Sequence, residues 1–236
     1  MLEVRAVTAG YGSVEALRGV SFMVPEGTTV ALLGRNGAGK STTLRVISGL
    51  LHPRGGEVTF DGTRIDQHRP EAIARLGIAH VPEGREIFNG LTVAENISAG
   101  AYFRRLDRNE LKDEVDRVLE FFPVLKQFLG KPAGTLSGGQ KQMLALARGL
   151  AARPRLLMVD EPSLGLSPIA IEQLYDRLAF LRREERALTV LLVEQYVGLA
   201  LEVADYAYVL EKGELVLNGD AHELHDHPEI VSAYVG

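Results

Sequence analysis

Residues 34–41 read GRNGAGKS, a glycine-rich stretch that ends in a lysine and a serine. The spacing G-x-x-x-x-G-K-[ST] lets successive backbone N–H groups converge on an anion, because glycines adopt the backbone angles such a wrap requires. In that arrangement Gly34, Asn36, Gly37, Ala38 and Gly39 form the cradle. Lys40 meets the β and γ oxygens of a polyphosphate, and the Ser41 hydroxyl ligates Mg²⁺. A plain glycine-rich turn with an incidental lysine would not need its flanks. Here the loop follows the apolar run TTVALLG, which reads as a buried strand, and opens STTLRVISGL, which reads as a helix ended by Gly49.

A second group of chemical interest is LLMVDE at 156–161, where an apolar strand ends in Asp160 and Glu161. Acids at the C-terminal edge of a buried parallel strand lie where doubly wound sheets bind ligands. Asp160 can hold a metal through water, and Glu161 can polarise a water aimed at a γ-phosphate. The same pair read alone could equally be the acidic first turn of a helix. Together with the phosphate loop it makes a nucleoside triphosphatase site.

The stretch TLSGGQKQMLALARGL, 135–150, is amphipathic from Gln140 on, with Met143, Leu146, Ala147 and Leu150 at helical spacing. Yet Gly138 and Gly139 stand in its first turn, each about 1 kcal/mol worse than alanine in a helix. Ser137 and Gln140 fit a capping box, which does not require two glycines. A helix N-terminus with bare amides suits an anion that must come close.

The elements that must carry these groups alternate between strand and helix. Strands are expected at 2–8 and 20–24, with a turn at Pro25-Glu26-Gly27, then at TTVALLG, GGEVTFDG and IAHVP, with a short helix PEAIARLG. From about 85 to 150 the pattern is mainly helical, and Leu111, Val115, Val118, Leu119 and Phe122 repeat at intervals of three and four. Afterwards come a strand RLLMVD, a helix PIAIEQLYDRLAFLRRE, a strand LTVLLV, two strands across Lys212-Gly213 and a short polar C-terminal helix. Such alternation implies a parallel sheet covered on both faces.

Composition narrows the partners. The chain has 236 residues, 46% of them apolar, a formal net charge of -5 and no cysteine. That charge argues against nucleic acid as the main partner, since phosphate binding by counterion release wants a basic surface. Without cysteine there is no disulfide, thiolate metal site or cysteine nucleophile. The start MLEVRAVTAGYG is strand-like and carries no basic-then-apolar leader, so a cytoplasmic location is expected. The longest apolar runs, VALL and LTVLLV, fall well short of the ~18 residues that a membrane span needs, so any membrane role is peripheral.

The order GRNGAGKST, LSGGQ, LLMVDEPSLGL resembles the ATP-binding cassette family, the ATPase subunits of ABC transporters, over essentially the whole chain. The resemblance implies an α/β fold with a RecA-like P-loop NTPase core, an antiparallel β subdomain and a helical subdomain. It assigns 1–84 and 151–236 to the β subdomain and core, and 85–150 to the helical subdomain that carries LSGGQ. It implies ATP and Mg²⁺ as ligands, Lys40, Glu161 and Gln195 as catalytic residues, and Ser41, Glu83 and Asp160 as metal-binding residues. Two cassettes in this family pack head to tail, so Ser137, Gly138 and Gly139 would cap the γ-phosphate held by a neighbouring chain. Tyr11 matches the aromatic residue that stacks on adenine, although ordinary packing is an alternative, and Thr42 matches the α-phosphate contact.

Departures from the family pattern narrow the reading further. Glu83 stands where the family usually has glutamine, Gln195 where it has histidine, and SLGL at 163–166 lacks the usual acid of the loop that crosses the dimer interface. VPEGR with VEQ resembles one of the two ATPase subunits of branched-chain amino acid importers, and REIF with EQY is also similar to urea and short-chain amide importers. The implied partners are transmembrane permease subunits, a second cassette that is either a different chain or a copy of this one, and, indirectly, a periplasmic or extracellular solute-binding protein. The implied place is the inner face of the cell membrane. Residues 85–105, with Arg104 and Arg105 taken as exposed, are expected to meet the permease. Exporter-type cassettes and soluble cassette ATPases of repair or translation are the competing classes; the latter resemble tandem cassettes or carry long coiled-coil insertions, neither of which occurs here.

Overall fold

The computed structural model of the protein describes residues 1–225 and 227. The chain opens with a hairpin, β1 (Leu2–Tyr11) and β2 (Val14–Val24), followed by the wholly buried strand β3 (Thr29–Leu33) and helix α1 (Lys40–Ile47). Then come β4 (Gly55–Phe60), β5 (Thr63–Arg64), α2 (Pro70–Arg75) and β6 (Ile78–Val81). Three helices follow, α3 (Val93–Gly100), α4 (Arg108–Phe121) and α5 (Gly138–Ala151). The last third runs β7 (Leu156–Asp160), α6 (Pro168–Glu184), β8 (Thr189–Glu194), α7 (Val197–Val203), β9 (Tyr206–Glu211), β10 (Glu214–Asp220) and α8 (Ala221–His225).

Two sheets result. One is antiparallel, in the order β2-β1-β4-β5; the other is ordered β10-β9-β3-β8-β7-β6, with parallel pairing except between β9 and β10. Every residue of β3, β7 and β8 is buried, as expected for strands covered on both faces. Successive side chains of a strand point to opposite faces, and here the two faces feed two cores. Ala31, Leu33, Leu157, Val159 and Leu192 join Ile97, Val118, Leu146 and Leu174 of the helices. Val30, Leu32, Met158, Leu191 and Val193 join Leu17, Phe22, Leu44 and Ile47 beside the antiparallel sheet.

The structure departs from sequence expectation at three places. β1 and β2 are longer than expected, because register shifts along the pair and a left-handed Gly19 (φ 76) break the alternation that marks a strand. Helix α7, VGLALEV, follows β8 after a gap too short to separate the two in an apolar pattern. Arg104, expected to be exposed, turns inward instead: it donates to Ala151 O at 3.0 Å and pairs with Glu114 at 2.7 Å.

Glu114 holds the helical region to the rest. It lies on the inner face of α4 beside buried Val115, Val118 and Leu119, and its side chain is 2% exposed. Its carboxylate accepts from Arg117 of the same helix (2.7 Å), from Arg153 ahead of β7 (2.8 Å), and from Arg104. Burial by itself would raise its pKa, but the Arg117 and Arg104 hydrogen bonds outweigh it and hold the carboxyl below its ordinary value of 4.5. Replacing Glu114 by Gln should therefore destabilise the fold by about 2 kcal/mol at pH 7, the scale of a charge-assisted hydrogen bond lost from a buried site. Because the folded pKa lies below the unfolded one, this stability is full above about pH 4.5 and fades as pH falls through the folded value. Urea denaturation checks it: midpoints for wild type and Glu114→Gln should converge on acidification, and coincident midpoints at pH 7 would refute the role.

Candidate functional site

The phosphate-loop sequence lies between β3 and α1. Helix α1 starts with Gly39 as N-cap at φ 112, and a Cβ there would sit 2.7 Å from Leu17 Cδ2 and 2.8 Å from Ala16 O, so only glycine serves. No side chain caps this helix start, so its first N–H groups stay available to an anion. Gly34 and Ala38 build the loop from behind, Gly34 by its carbonyl and Ala38 by packing into the core. Asn36, Gly37, Gly39, Lys40, Ser41 and Thr42 line a cleft of about 400 Å³, with Ala16, Glu83, Glu161 and Leu164 on its other sides.

Lys40 is 3% exposed, and each of its three N–H donors meets an acceptor. They are Gly34 O at 2.7 Å, Arg35 O at 3.2 Å and Glu161 Oε1 at 3.0 Å. Glu161 follows the last residue of β7 and adopts φ 44, a left-handed conformation that costs a non-glycine residue on the order of 1–3 kcal/mol. Its N–H donates to Val193 O of β8 at 2.9 Å, which fixes the bend. Such strain persists where the surroundings over-determine it, and it aims the carboxylate at Lys40.

Ser41 Oγ donates to Asp160 Oδ1 at 3.2 Å. Burial, with the charges of Glu161 and Glu83, pushes the Asp160 carboxyl up to about 6 against the opposing Ser41 hydrogen bond and Lys40 charge. A hydroxyl and a carboxylate carrying excess negative charge fit a hard divalent cation. Among the described residues, no cluster of three or more His, Cys, Asp or Glu side chains could hold a metal unaided. Two protein oxygens suit Mg²⁺, which keeps waters and takes phosphate oxygens for its remaining positions. Glu83 is exposed on the cleft rim and acts on Asp160 through space.

The remaining predicted residues lie apart from this cleft. Tyr11, 45% exposed, ends β1 and accepts a hydrogen bond from Arg45 of α1 at 2.9 Å, with the guanidinium 6.0 Å from the ring centre. Gln195 follows β8 and is half-buried; its backbone N–H donates to Glu194 at 3.0 Å. Ser137, Gly138 and Gly139 start α5, where Ser137 and Gln140 form the expected capping box. The structure adds a reason internal to the chain for one glycine: a Cβ on Gly139 would lie 2.9 Å from Ala170 Cβ of α6. At Gly138 a Cβ would meet ordinary contacts at 3.7 Å. Sequence reading passed over Glu194, an acid ending an otherwise apolar strand, and Ala16, which lines the cleft.

Comparison with known proteins agrees with this geometry. The family model described as ABC transporter matches residues 17–164. The chain is 44% identical to the high-affinity branched-chain amino acid transport ATP-binding protein BraG of Pseudomonas aeruginosa, over 100% of both proteins. It is 41% identical to the probable branched-chain amino acid transport ATP-binding protein LivF of Archaeoglobus fulgidus, over 100% of this chain and 99% of that protein. Among solved structures it is similar, with TM-score 0.83 and 26% identity over 94% of this chain and 99% of the other, to a dimeric post-hydrolysis state of the ATP-binding cassette MJ0796 bound to ADP and Pi. The fold is that of the ABC ATPase cassettes, and the chain belongs to the ABC transporter family as one of its ATP-hydrolysing subunits.

Proposed function

We propose that the chain powers a branched-chain amino acid importer, hydrolysing ATP in the cleft between the phosphate loop and Glu161. The observation that carries the reading is the Lys40–Glu161 contact beside Ser41–Asp160, in a chain that aligns with BraG from end to end. Lys40 and the uncapped start of α1 bind the β and γ oxygens, Thr42 the α-phosphate, and Tyr11 the adenine. Ser41 and Asp160 would hold Mg²⁺, with Glu83 beside them, and the ion would supply neutralisation of phosphate charge. Glu161 orients a water and takes its proton. The water oxygen bonds to the γ-phosphorus as the bond to the β–γ bridging oxygen breaks, and ADP leaves with the electron pair. Gln195, at the end of the strand between β3 and β7, offers one neutral N–H toward the γ-phosphate.

The dimeric state of MJ0796 supports pairing with a second cassette, different or identical, whose cleft the Ser137–Gly139 helix start would cap. In this reading residues 85–150 form the helical subdomain and 1–84 with 151–236 the rest. Among the described residues no helix is long and apolar enough to cross a membrane; by its likeness to transport ATP-binding proteins, the subunit would dock on permease subunits at the inner face of the membrane. The docking site we favour is a groove of about 1010 Å³ whose lining includes Phe88, Tyr102, Phe103, Arg75 and Leu76. Tyr102, 77% exposed at its mouth, is unusual for an aromatic side chain.

Two outcomes test the reading. In the purified transporter, Glu161→Gln should bind ATP at least as tightly as wild type, because Lys40 loses a competing anion, yet turn over on the order of 10²–10⁴-fold more slowly. If the second cassette carries histidine at the position of Gln195, the matching change there should harm transport more than Glu161→Gln does here. Normal turnover by Glu161→Gln would refute the assignment of the base. For the groove, Tyr102→Asp should abolish co-purification with membranes while leaving the ATP affinity of the isolated chain unchanged. Recruitment that survives this change together with Phe103→Asp would move the docking site elsewhere.

A further inference from the structure

Glu194 is a carboxylate that the proposed chemistry leaves unused. It ends β8 at 1% exposure, and among the described residues no cation pairs with it. Three backbone N–H groups hold it. Oε1 accepts from Ser163 N at 3.1 Å, while Oε2 accepts from Gln195 N at 3.0 Å and Tyr196 N at 3.4 Å. Ser163 lies two residues after Glu161 in the turn that leads to α6, and that turn is closed by Leu164 N to Glu161 O at 3.2 Å. The Ser163 hydroxyl is buried without a partner, so the backbone N–H is the group that anchors this residue to β8. The Tyr175 hydroxyl of α6 is buried against the Glu194 carboxylate, and burial, followed by the charge and hydrogen-bonding pull of that carboxylate, keeps it protonated.

A buried acid with no cation beside it is an expensive way to end a strand. A neutral side chain could accept from Gln195 and Tyr196 alone. Two separate acceptor oxygens are needed only because donors arrive from two directions, the Glu161 turn and the Gln195 segment. A carboxamide offers one acceptor oxygen and turns two donors toward whichever amide is left.

We propose that Glu194 is the positioning residue for Glu161: it ties the turn behind the base to the end of β8, so that Glu161 reaches the cleft in a fixed position. This rests on the proposed role of Glu161. Glu194 touches no reacting atom; it acts by holding Ser163, and through it the left-handed bend at Glu161.

The test uses the reconstituted transporter, with ATP as the probe. Glu194→Gln should lower kcat on the order of 10- to 10²-fold, the scale of misplacing a catalytic group by about an ångström, while the ATP Kd stays within about twofold, since no Glu194 contact reaches the phosphate loop. In a Glu161→Gln background the same change should slow residual turnover no further, because a residue acting through the base has nothing left to position. Glu194→Asp, which keeps both oxygens on a shorter stem, should also lower kcat at constant Kd; it decides the matter if the Gln variant does not fold. Unchanged kcat in Glu194→Gln, or in Glu194→Asp where that variant decides, would overturn the proposal. So would a further slowing in the double variant equal to that of Glu194→Gln alone, the mark of a merely structural role. A Glu161→Gln protein with normal turnover would overturn the base assignment and this proposal together, whereas a slow Glu161→Gln beside a normal Glu194→Gln would overturn this proposal alone.

Discussion

Lys40 and Glu161 meet at 3.0 Å with almost no exposure to water, and each is tolerable there only because of the other. Removing either charge from water costs several kcal/mol before any partner is counted. The attraction offsets that cost because Lys40 also donates to two carbonyls of its own loop, leaving none of its hydrogens unmatched. The pair joins the end of β3 to the end of β7 across the intervening β8, so the loop, the strained bend and the sheet order are held in one arrangement. On the proposed reading a nucleotide competes for Lys40 with its own γ-phosphate. On the same reading, the contact that settles the charges of the cleft is the one whose release frees the base.

That pair can form only because the strands spend no side chain on chemistry. In β3 and β7 nearly every residue feeds one of the two cores, and polar groups appear where the ladder stops: Gly34 after Leu33, Asp160 at the end of β7, Glu194 at the end of β8. Parallel pairing puts these ends on one edge. The register sets Leu33 against Glu194 and Asp160 against Val193, so the loop, Asp160 and Glu194 stand at one level of the sheet. The backbone carries the precision, since Glu161 and Ser163 are both fixed through their N–H groups to β8.

Much of this was legible because it is local. A phosphate loop, an apolar strand ending in acids and a capping box are each written within some ten residues, and α6 occupies the same residues, Pro168–Glu184, that its periodicity indicates. What could not be read depends on distant partners. Glu114 and Arg104 look like solvated charges, and only the packing of α4 against the end of α5 turns them inward. The early part of β2 escaped because a bulged register erases alternation. Glu194 escaped for a similar reason: an acid after an apolar run reads as the strand's exit into water, whereas an amide 31 residues earlier in the chain meets it. Gly139 was read for a ligand and has a neighbour in Ala170.

The charge balance of the cleft bears on why one chain would not suffice. Among the described residues that line it there is one cation, Lys40, and two carboxylates, Glu83 and Glu161, with Asp160 just behind. A triphosphate brought here meets mostly negative side chains, relieved by the start of α1 and by the cation that travels with the nucleotide. The usual histidine could lend positive charge; Gln195 cannot. A second helix start does exist in the chain, at α5, where Ser137 occupies only the Gln140 amide and leaves those of Gly138 and Gly139 without a side-chain cap. It lies outside its own cleft, with Gly138 needed neither by a tight neighbour nor by its backbone angle. In the proposed head-to-tail pair, the bare positive helix end of one cassette would meet the cleft of the other, which is short of positive charge. The proposed dimer thus follows from electrostatic need as well as from likeness to MJ0796.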